Sequence, residues 1–311
     1  MGELKNEFAW SKSRDESLKT CPRQYYFNYY GKWGGWEYGA QERTRQLYVL
    51  SKLQTRPMWA GSVVHSCIER TLKNLRRGID VLNPQKIIEV TVSQMREGYK
   101  SSRAKKYRAN PKSCALFEHE YGVPVSDEEW RQTAEDVRTC LHTFYTSDLF
   151  ARLRAVPREA WLEVEEFSSF TLDGVKVWAV IDCSFRDGAL VDIYDWKTGR
   201  NLAEESTVQL KCYALYAHET WGVALDNVRI AEYYLLPNEL QDYRVAAGDA
   251  ADARTYILGS VADMQSLLAD VDANVPLAEE AFVKTDKPRG CRRCNFVRVC
   301  RPDVAAELSS K

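Results

Sequence analysis

Leu190-Val191-Asp192-Ile193-Tyr194-Asp195-Trp196-Lys197-Thr198-Gly199 is the stretch on which the reading of this chain turns. It is an apolar run that carries two acids and a lysine and ends on Thr-Gly. Side chains alternate along a strand, so Asp195 and Lys197 share a face. Just upstream, Ala179-Val180-Ile181-Asp182 lies in a second apolar run, and Asp187-Gly188 between the two is a hairpin signal. A third run, Trp161 to Phe170, joins the second through Asp173-Gly174. The pattern predicts three consecutive antiparallel strands over 161–170, 175–185 and 190–196. Asp182 falls on the second, where it can reach the face of Asp195.

Two carboxylates brought to one point repel each other unless a cation lies between them. Oxygen donors of this kind suit Mg²⁺ or Mn²⁺. A lysine beside them can orient or activate a water. On these residues alone an ordinary surface hairpin with solvated charges remains equally open. Glu163 and Glu165 lie two apart on the first predicted strand, and Glu165 is the choice for an extra acid facing the cleft.

Outward from this core the chain reads as mainly helical. A helix starts near Ser11 and breaks at Cys21-Pro22, where a second begins. A Gly-rich loop spans 31–39, and a helix over 59–76 carries His65. Between Arg96 and Lys112 there are seven Lys or Arg and one acid. Of these, Arg103, Lys105, Lys106 and Arg108 are candidates to follow a phosphate backbone, with a solvated helix face as the alternative. Trp130, Ala134, Val137, Leu141 and Tyr145 recur at helical spacing after 126–129. An amphipathic helix is expected over 204–221, a strand over 228–236 stopped by Pro237, and a long helix over 251–271. The expected segments are 1–58 (helical, with Cys21), 59–157 (helical, with His65), 158–236 (the core) and 237–311 (helix and cysteine tail). Helices, strands, helix, strand, helix is the order of an α/β core with a helical insertion.

Cys291, Cys294 and Cys300 form C-x2-C-x5-C in a tail with little else to bury. Three thiolates leave a tetrahedral site or a cubane cluster one ligand short, and Cys21 is the natural fourth. From spacing alone Zn²⁺ is a serious rival to a cluster. The other five cysteines sit among apolar neighbours and read as buried thiols.

Composition narrows the class. The 43 basic and 44 acidic residues nearly cancel, which excludes a histone-like binder but not a local basic groove. No apolar run approaches the roughly 20 residues of a membrane span, and residues 1–10 lack a signal-peptide core. A cytoplasmic protein is the expectation, with its cysteines reduced. The 9 Trp, 17 Tyr and 10 Phe include the runs 25–30 and 33–38, on which unpaired bases could stack.

The I-D…D-W-K-T-G arrangement from Ile181 to Gly199 closely resembles the core of the PD-(D/E)XK nuclease superfamily, in its RecB-like branch. Two further motifs match: Gly61-Ser62-Val63-Val64-His65 fits G-x3-H, and Gln209-Leu210-Lys211-Cys212-Tyr213 fits Q-x3-Y. Ala179 replaces a common glycine. Thr20-Cys21-Pro22-Arg23-Gln24-Tyr25, together with the terminal C-x2-C-x5-C, is similar to the iron–sulfur subgroup of the AddB, CRISPR-adaptation and exonuclease V type.

The resemblance implies a restriction-endonuclease-like core, a central mixed sheet flanked by helices. It implies His65, Asp182, Asp195 and the Trp196 carbonyl as ligands of Mg²⁺ or Mn²⁺, Lys197 as the catalytic lysine, and Gln209 and Tyr213 as its support. Cys21, Cys291, Cys294 and Cys300 would then hold a [4Fe–4S] cluster joining the N- and C-terminal segments. The activity implied is hydrolysis of DNA, foremost single-stranded and from an end, in repair, recombination or CRISPR adaptation. Helicase or recombination proteins are the implied partners. The competing class is a non-catalytic, cluster-bearing DNA-binding subunit of a larger complex.

Overall fold

The computed structural model describes residues 5–202 and 208–309. In chain order its helices are α1 (Lys12–Thr20), α2 (Pro22–Tyr26), α3 (Glu42–Leu50), α4 (Arg56–Arg76), α5 (Pro84–Arg103), α6 (Phe117–Tyr121), α7 (Asp127–Thr146), α8 (Asp148–Arg154), α9 (Val208–Trp221) and α10 (Asp249–Gln265). Short helical turns close the chain. The strands are β1 (Ser168–Leu172), β2 (Val175–Ala179), β3 (Cys183–Asp187), β4 (Leu190–Lys197), β5 (Val228–Tyr234) and β6 (Glu239–Arg244), with a small ribbon at Leu268–Asp270 and Val275–Pro276. The residues fall into two compact units. One takes the chain up to Trp59, Arg96–Asp127 and the chain from Leu258; the other takes Ala60–Met95 and Glu128–Ile257. No helix among the described residues is long and apolar enough to cross a membrane.

The second unit is built on a four-stranded mixed sheet in the order β3-β4-β5-β6. β3 and β4 are antiparallel, turning at Gly188 with φ +63°. β4 and β5 are parallel, which requires a crossover, and α9 supplies it. Six of the eight residues of β4 are buried, as expected of a strand covered on both faces. The sheet and its flanking helices give the α/β architecture expected of the sequence.

Several local expectations are corrected. The run 175–185 is not one strand. β2 pairs with β1 in a separate two-stranded sheet, the chain breaks over 180–182, and β3 then joins β4. Asp182 therefore sits at the mouth of β3 and not within a strand. The run 161–170 is broken too. Its first half bonds across to 181–185 (Leu162 N to Ser184 O 3.0 Å, Glu165 N to Ile181 O 2.9 Å), and Glu165 then takes φ +48°. A left-handed residue of this kind ends regular pairing and re-aims its side chain.

The described part of the 204–221 helix, α9, is buried on most sides and not amphipathic, from Leu210 through Ala217. Residues 203–207 lie outside the described residues. α10 stops at Gln265, because Leu268 onward pairs in the ribbon. β6 was not expected at all. It is a polar edge strand, turned back from β5 through Asn238 at φ +59°.

In the first unit Ser11 caps α1, its hydroxyl accepting from the Arg14 amide at 3.2 Å. Cys21 is extended (φ −166°) between α1 and α2, and Pro22 opens α2. The aromatic run 25–30 is core: Tyr25, Phe27 and Tyr30 are buried, and Tyr25, Tyr26 and Tyr30 contact the buried Phe282. The buried rings of Tyr25, Phe27 and Tyr30 are not available to bases.

The cysteine tail also departs from expectation, because it has much to bury. Phe296 and Val297 are fully buried with Phe27, Leu47, Leu50, Tyr107 and Phe117. Phe296 meets the Phe27 ring at 5.3 Å, and Asn295 donates to the Leu53 carbonyl at 2.8 Å. Burial of one phenylalanine is worth about 1.5–3 kcal/mol. Packing thus holds the two ends of the chain together within this unit.

Candidate functional site

His65 lies on α4, one turn after Gly61, so both face the end of β4. A Cβ on Gly61 would come within 3.1 Å of the Thr198 hydroxyl, so glycine permits the close approach. The imidazole Nδ1 is 2.9 Å from Glu165 Oε1 and 3.4 Å from Asp182 Oδ1, and Nε2 is 3.0 Å from the Trp196 carbonyl. The Trp196 amide donates to Asp182 Oδ2 at 2.7 Å. One donor atom from each of His65, Glu165 and Asp182 lies within 4.8 Å of the others. Asp182 is buried, whereas the His65 side chain keeps 30% of its exposure, so the group opens to solvent on the histidine side.

The electrostatics fit a cation. Burial works against a charged imidazole, but Asp182 and Glu165 outweigh it and push His65 up to about 11. Burial, and then the charge of Asp195, hold the Asp182 carboxyl well above the usual carboxylate range. A concentration of negative charge that keeps protons this firmly is a hard-oxygen donor set suited to a divalent ion.

Asp195 stands outside that trio. Its Oδ2 is 2.6 Å from Lys197 Nζ, and its Oδ1 accepts from Gln209 Nε2 at 3.1 Å and faces the Tyr213 hydroxyl at 3.1 Å. Tyr213 also donates to the Val180 carbonyl at 2.8 Å. Gln209 and Tyr213, a turn apart on α9, thus both reach the strand that carries Asp195. Glu163, the alternative to Glu165, points elsewhere and takes the Tyr216 hydroxyl.

Sequence reasoning missed Glu232. It is the β5 partner of Asp195 in register and is almost wholly buried. Its Oε1 lies 3.3 Å from Lys197 Nζ, and Oε2 accepts from the Tyr234 hydroxyl at 2.9 Å. Burial disfavours the Lys197 charge, but Asp195 and then Glu232 reverse this and raise its pKa. A single acid in an otherwise apolar strand, Ile230-Ala231-Glu232-Tyr233-Tyr234, was the available signal.

Cys21, Cys291, Cys294 and Cys300 line one pocket, with Phe27 and Val297 beside them, and all four are free thiols. Burial pushes the Cys294 thiol up to about 12; the Phe296 amide opposes this, and Cys21, Cys300 and Cys291 add to it. The four thiols therefore converge on one apolar cavity, a donor set that suits a soft metal centre.

The four basic candidates divide. Arg108 binds Glu120 through both oxygens, at 2.9 and 3.0 Å, and Lys105 reaches the Glu120 carbonyl at 3.3 Å. Arg103 and Lys106 are exposed. Arg298 of the cysteine tail binds Glu120 as well, so part of the basic stretch anchors the fold.

A family model described as the PD-(D/E)XK nuclease superfamily matches residues 9–301. A search of curated proteins found no match. The chain belongs to the PD-(D/E)XK nuclease superfamily, whose members are metal-dependent nucleases.

Proposed function

We propose that this chain is a Mg²⁺- or Mn²⁺-dependent deoxyribonuclease that degrades single-stranded DNA from an end, in the RecB-like iron–sulfur branch of the superfamily. One observation carries the reading: His65, Glu165, Asp182 and the Trp196 carbonyl converge beside an Asp195–Lys197 pair. These four groups would hold the ion, with Asp195 as the adjoining carboxylate. Bound there, a divalent cation would polarise the scissile phosphate and lower the pKa of a coordinated water.

The chain's own residues do the rest. Glu165 fixes the His65 ring, and the Trp196 amide fixes Asp182. Asp195 and Glu232 keep the Lys197 ammonium charged and hold it at the edge of the donor group. From there it orients the attacking water or neutralises charge developing on the phosphate. Gln209 and Tyr213 stop the Asp195 carboxylate from rotating away.

Cys21, Cys291, Cys294 and Cys300 would hold a [4Fe–4S] cluster with a structural task. Convergence of the four thiols on one pocket supports this, and Zn²⁺ is the competing occupant. Repair, recombination or CRISPR adaptation is the setting that such a nuclease would serve, with a helicase supplying any unwinding.

Anaerobic purification tests the whole reading. The expected protein is brown, contains iron and sulfide, and degrades end-labelled single strands only with Mg²⁺ or Mn²⁺. A protein that binds DNA but cuts none would be a cluster-bearing subunit. A colourless protein with one zinc would remove the cluster.

A further inference from the structure

The loop Gly31-Lys32-Trp33-Gly34-Gly35-Trp36-Glu37-Tyr38-Gly39 is a built surface. Successive backbone bonds stitch it together: Trp33 N to Tyr30 O 2.9 Å, Gly35 N to Lys32 O 3.0 Å and Glu37 N to Gly34 O 3.0 Å. Gly35 is pressed onto α3 so closely that a Cβ would stand 2.6 Å from the Thr44 carbonyl and 2.5 Å from the Tyr48 Cβ. Neither atom can swing aside, so the loop is seated in one place. Its rings nevertheless face water. Trp33 is 38% exposed and Tyr38 is fully exposed.

From Trp33 the rings continue into a strip. Trp33 meets Trp36 edge-on at 5.0 Å, Trp36 meets Tyr48 at 5.8 Å, and Lys52 Nζ stands 4.8 Å over the Tyr48 ring. Beside it Lys32 is half-buried, and its pKa is lowered to about 8 by burial and then by Lys52 and Arg14. The charges acting on Lys32 are all positive, and among the described residues neither Lys32 nor Lys52 has a carboxylate partner. Crowded cations without acids are relieved by an anion, and exposed rings by a flat apolar partner. A single-stranded polynucleotide offers both at once, because its bases are free to stack and its phosphates run alongside. A duplex hides its bases.

We infer that this strip, with the exposed Tyr38 of the same loop, binds single-stranded polynucleotide, with bases stacked on Trp33 and Tyr38 and phosphates on Lys52 and Lys32. The inference deepens the reading as a nuclease but does not depend on cleavage. It also separates the two aromatic runs of the sequence, since Tyr25, Phe27 and Tyr30 are core whereas Trp33 and Tyr38 are exposed.

Fluorescence anisotropy of labelled oligothymidylate with the full-length protein, in chelator so that the strand stays intact, tests it. Trp33→Ala/Tyr38→Ala should bind about 10–100-fold more weakly. Tyr38→Ala alone, a fully exposed ring whose removal leaves the fold intact, should lose about fivefold. Lys52→Gln should reduce the slope of log K against log salt by about 0.7. Binding to a duplex oligonucleotide should be unchanged. Oligouridylate shows whether RNA is taken as well, and binding of either strand through these rings upholds the inference.

Parent-like single-strand binding by both ring variants, with parent-like thermal melting, overturns it, as does a parent protein that binds no single strand. A parent that binds through the strip yet cuts nothing refutes the cleavage reading and leaves the strip. A parent that cuts while the ring variants bind normally does the reverse.

Discussion

The acidic cleft and the cysteine pocket both gather four donors, but by opposite means. In the cleft every side chain is held by another polar group: His65 by Glu165, Asp182 by the Trp196 amide, Asp195 by Lys197 and Gln209. In the pocket the thiols lie beside Phe27 and Val297, and Cys294 and Cys300 pack on the apolar cluster that contains Phe296. Charges misplaced in a buried site are costly, so a carboxylate cluster must be wired in position. A protonated thiol behaves as a small hydrophobe and can simply be packed there. The cleft should therefore respond to single charges and the pocket to volume.

The largest effect expected is loss of cleavage. Chelation of divalent ions should abolish it, and Asp182→Asn should lower it by at least about 10²–10³-fold, measured on end-labelled single strands. Neither should bleach the visible absorbance that the proposed cluster would give. If Asp182→Asn removed that colour, the two sites would not be independent and the contrast would fail.

Phe296→Ala comes next, at about 3–5 kcal/mol in denaturant titration. The loss should appear in metal-free protein as well as in protein reconstituted with iron and sulfide. A silent Phe296→Ala in the metal-free form would mean that the metal, and not packing, assembles the pocket.

Glu232→Gln sharpens the cleft side of the comparison. It keeps shape but removes the charge facing Lys197, and a hydrogen bond to a charged group is worth about 1.5–3 kcal/mol. Roughly 10–100-fold should therefore be lost from kcat at nearly unchanged KM. An equal rise in KM would point to substrate binding instead.

The smallest effect concerns acid. Burial raises the Glu120 carboxyl, but Tyr107, Arg108 and Arg298 outweigh it, so its folded-state pKa lies below the ordinary glutamate value. Its contribution to stability is then complete above that ordinary value and is lost as pH falls through the folded one. Thermal melting of Glu120→Gln should show a flatter decline over that acid window than the parent. An unchanged slope would remove Glu120 from the anchoring of the tail.

What could be read from sequence was whatever depends on short spacing. Asp195 and Lys197 two apart, Gln209 and Tyr213 four apart, and Gly61 before His65 each specify a shared face, and the structure keeps those faces. The break at 180–182 was invisible, because the apolar pattern runs unbroken from Val175 to Phe185 while the hydrogen-bonded partner changes. Glu232 was missed because its site is defined by a neighbouring strand about forty residues away in the chain, and parallel pairing leaves no turn to mark the register. Polar alternation hid β6, since an edge strand need bury little. The tail looked unsupported because the residues that cover Phe296 come from distant parts of the chain, near its start and around 107–121.

Glu165 sits at φ +48°, a conformation that costs a non-glycine residue of order 1–3 kcal/mol. Glycine would take that conformation without the steric cost. The same change would strip the carboxylate from His65. At this one position backbone ease and the proposed chemistry pull in opposite directions, and the sequence keeps the carboxylate.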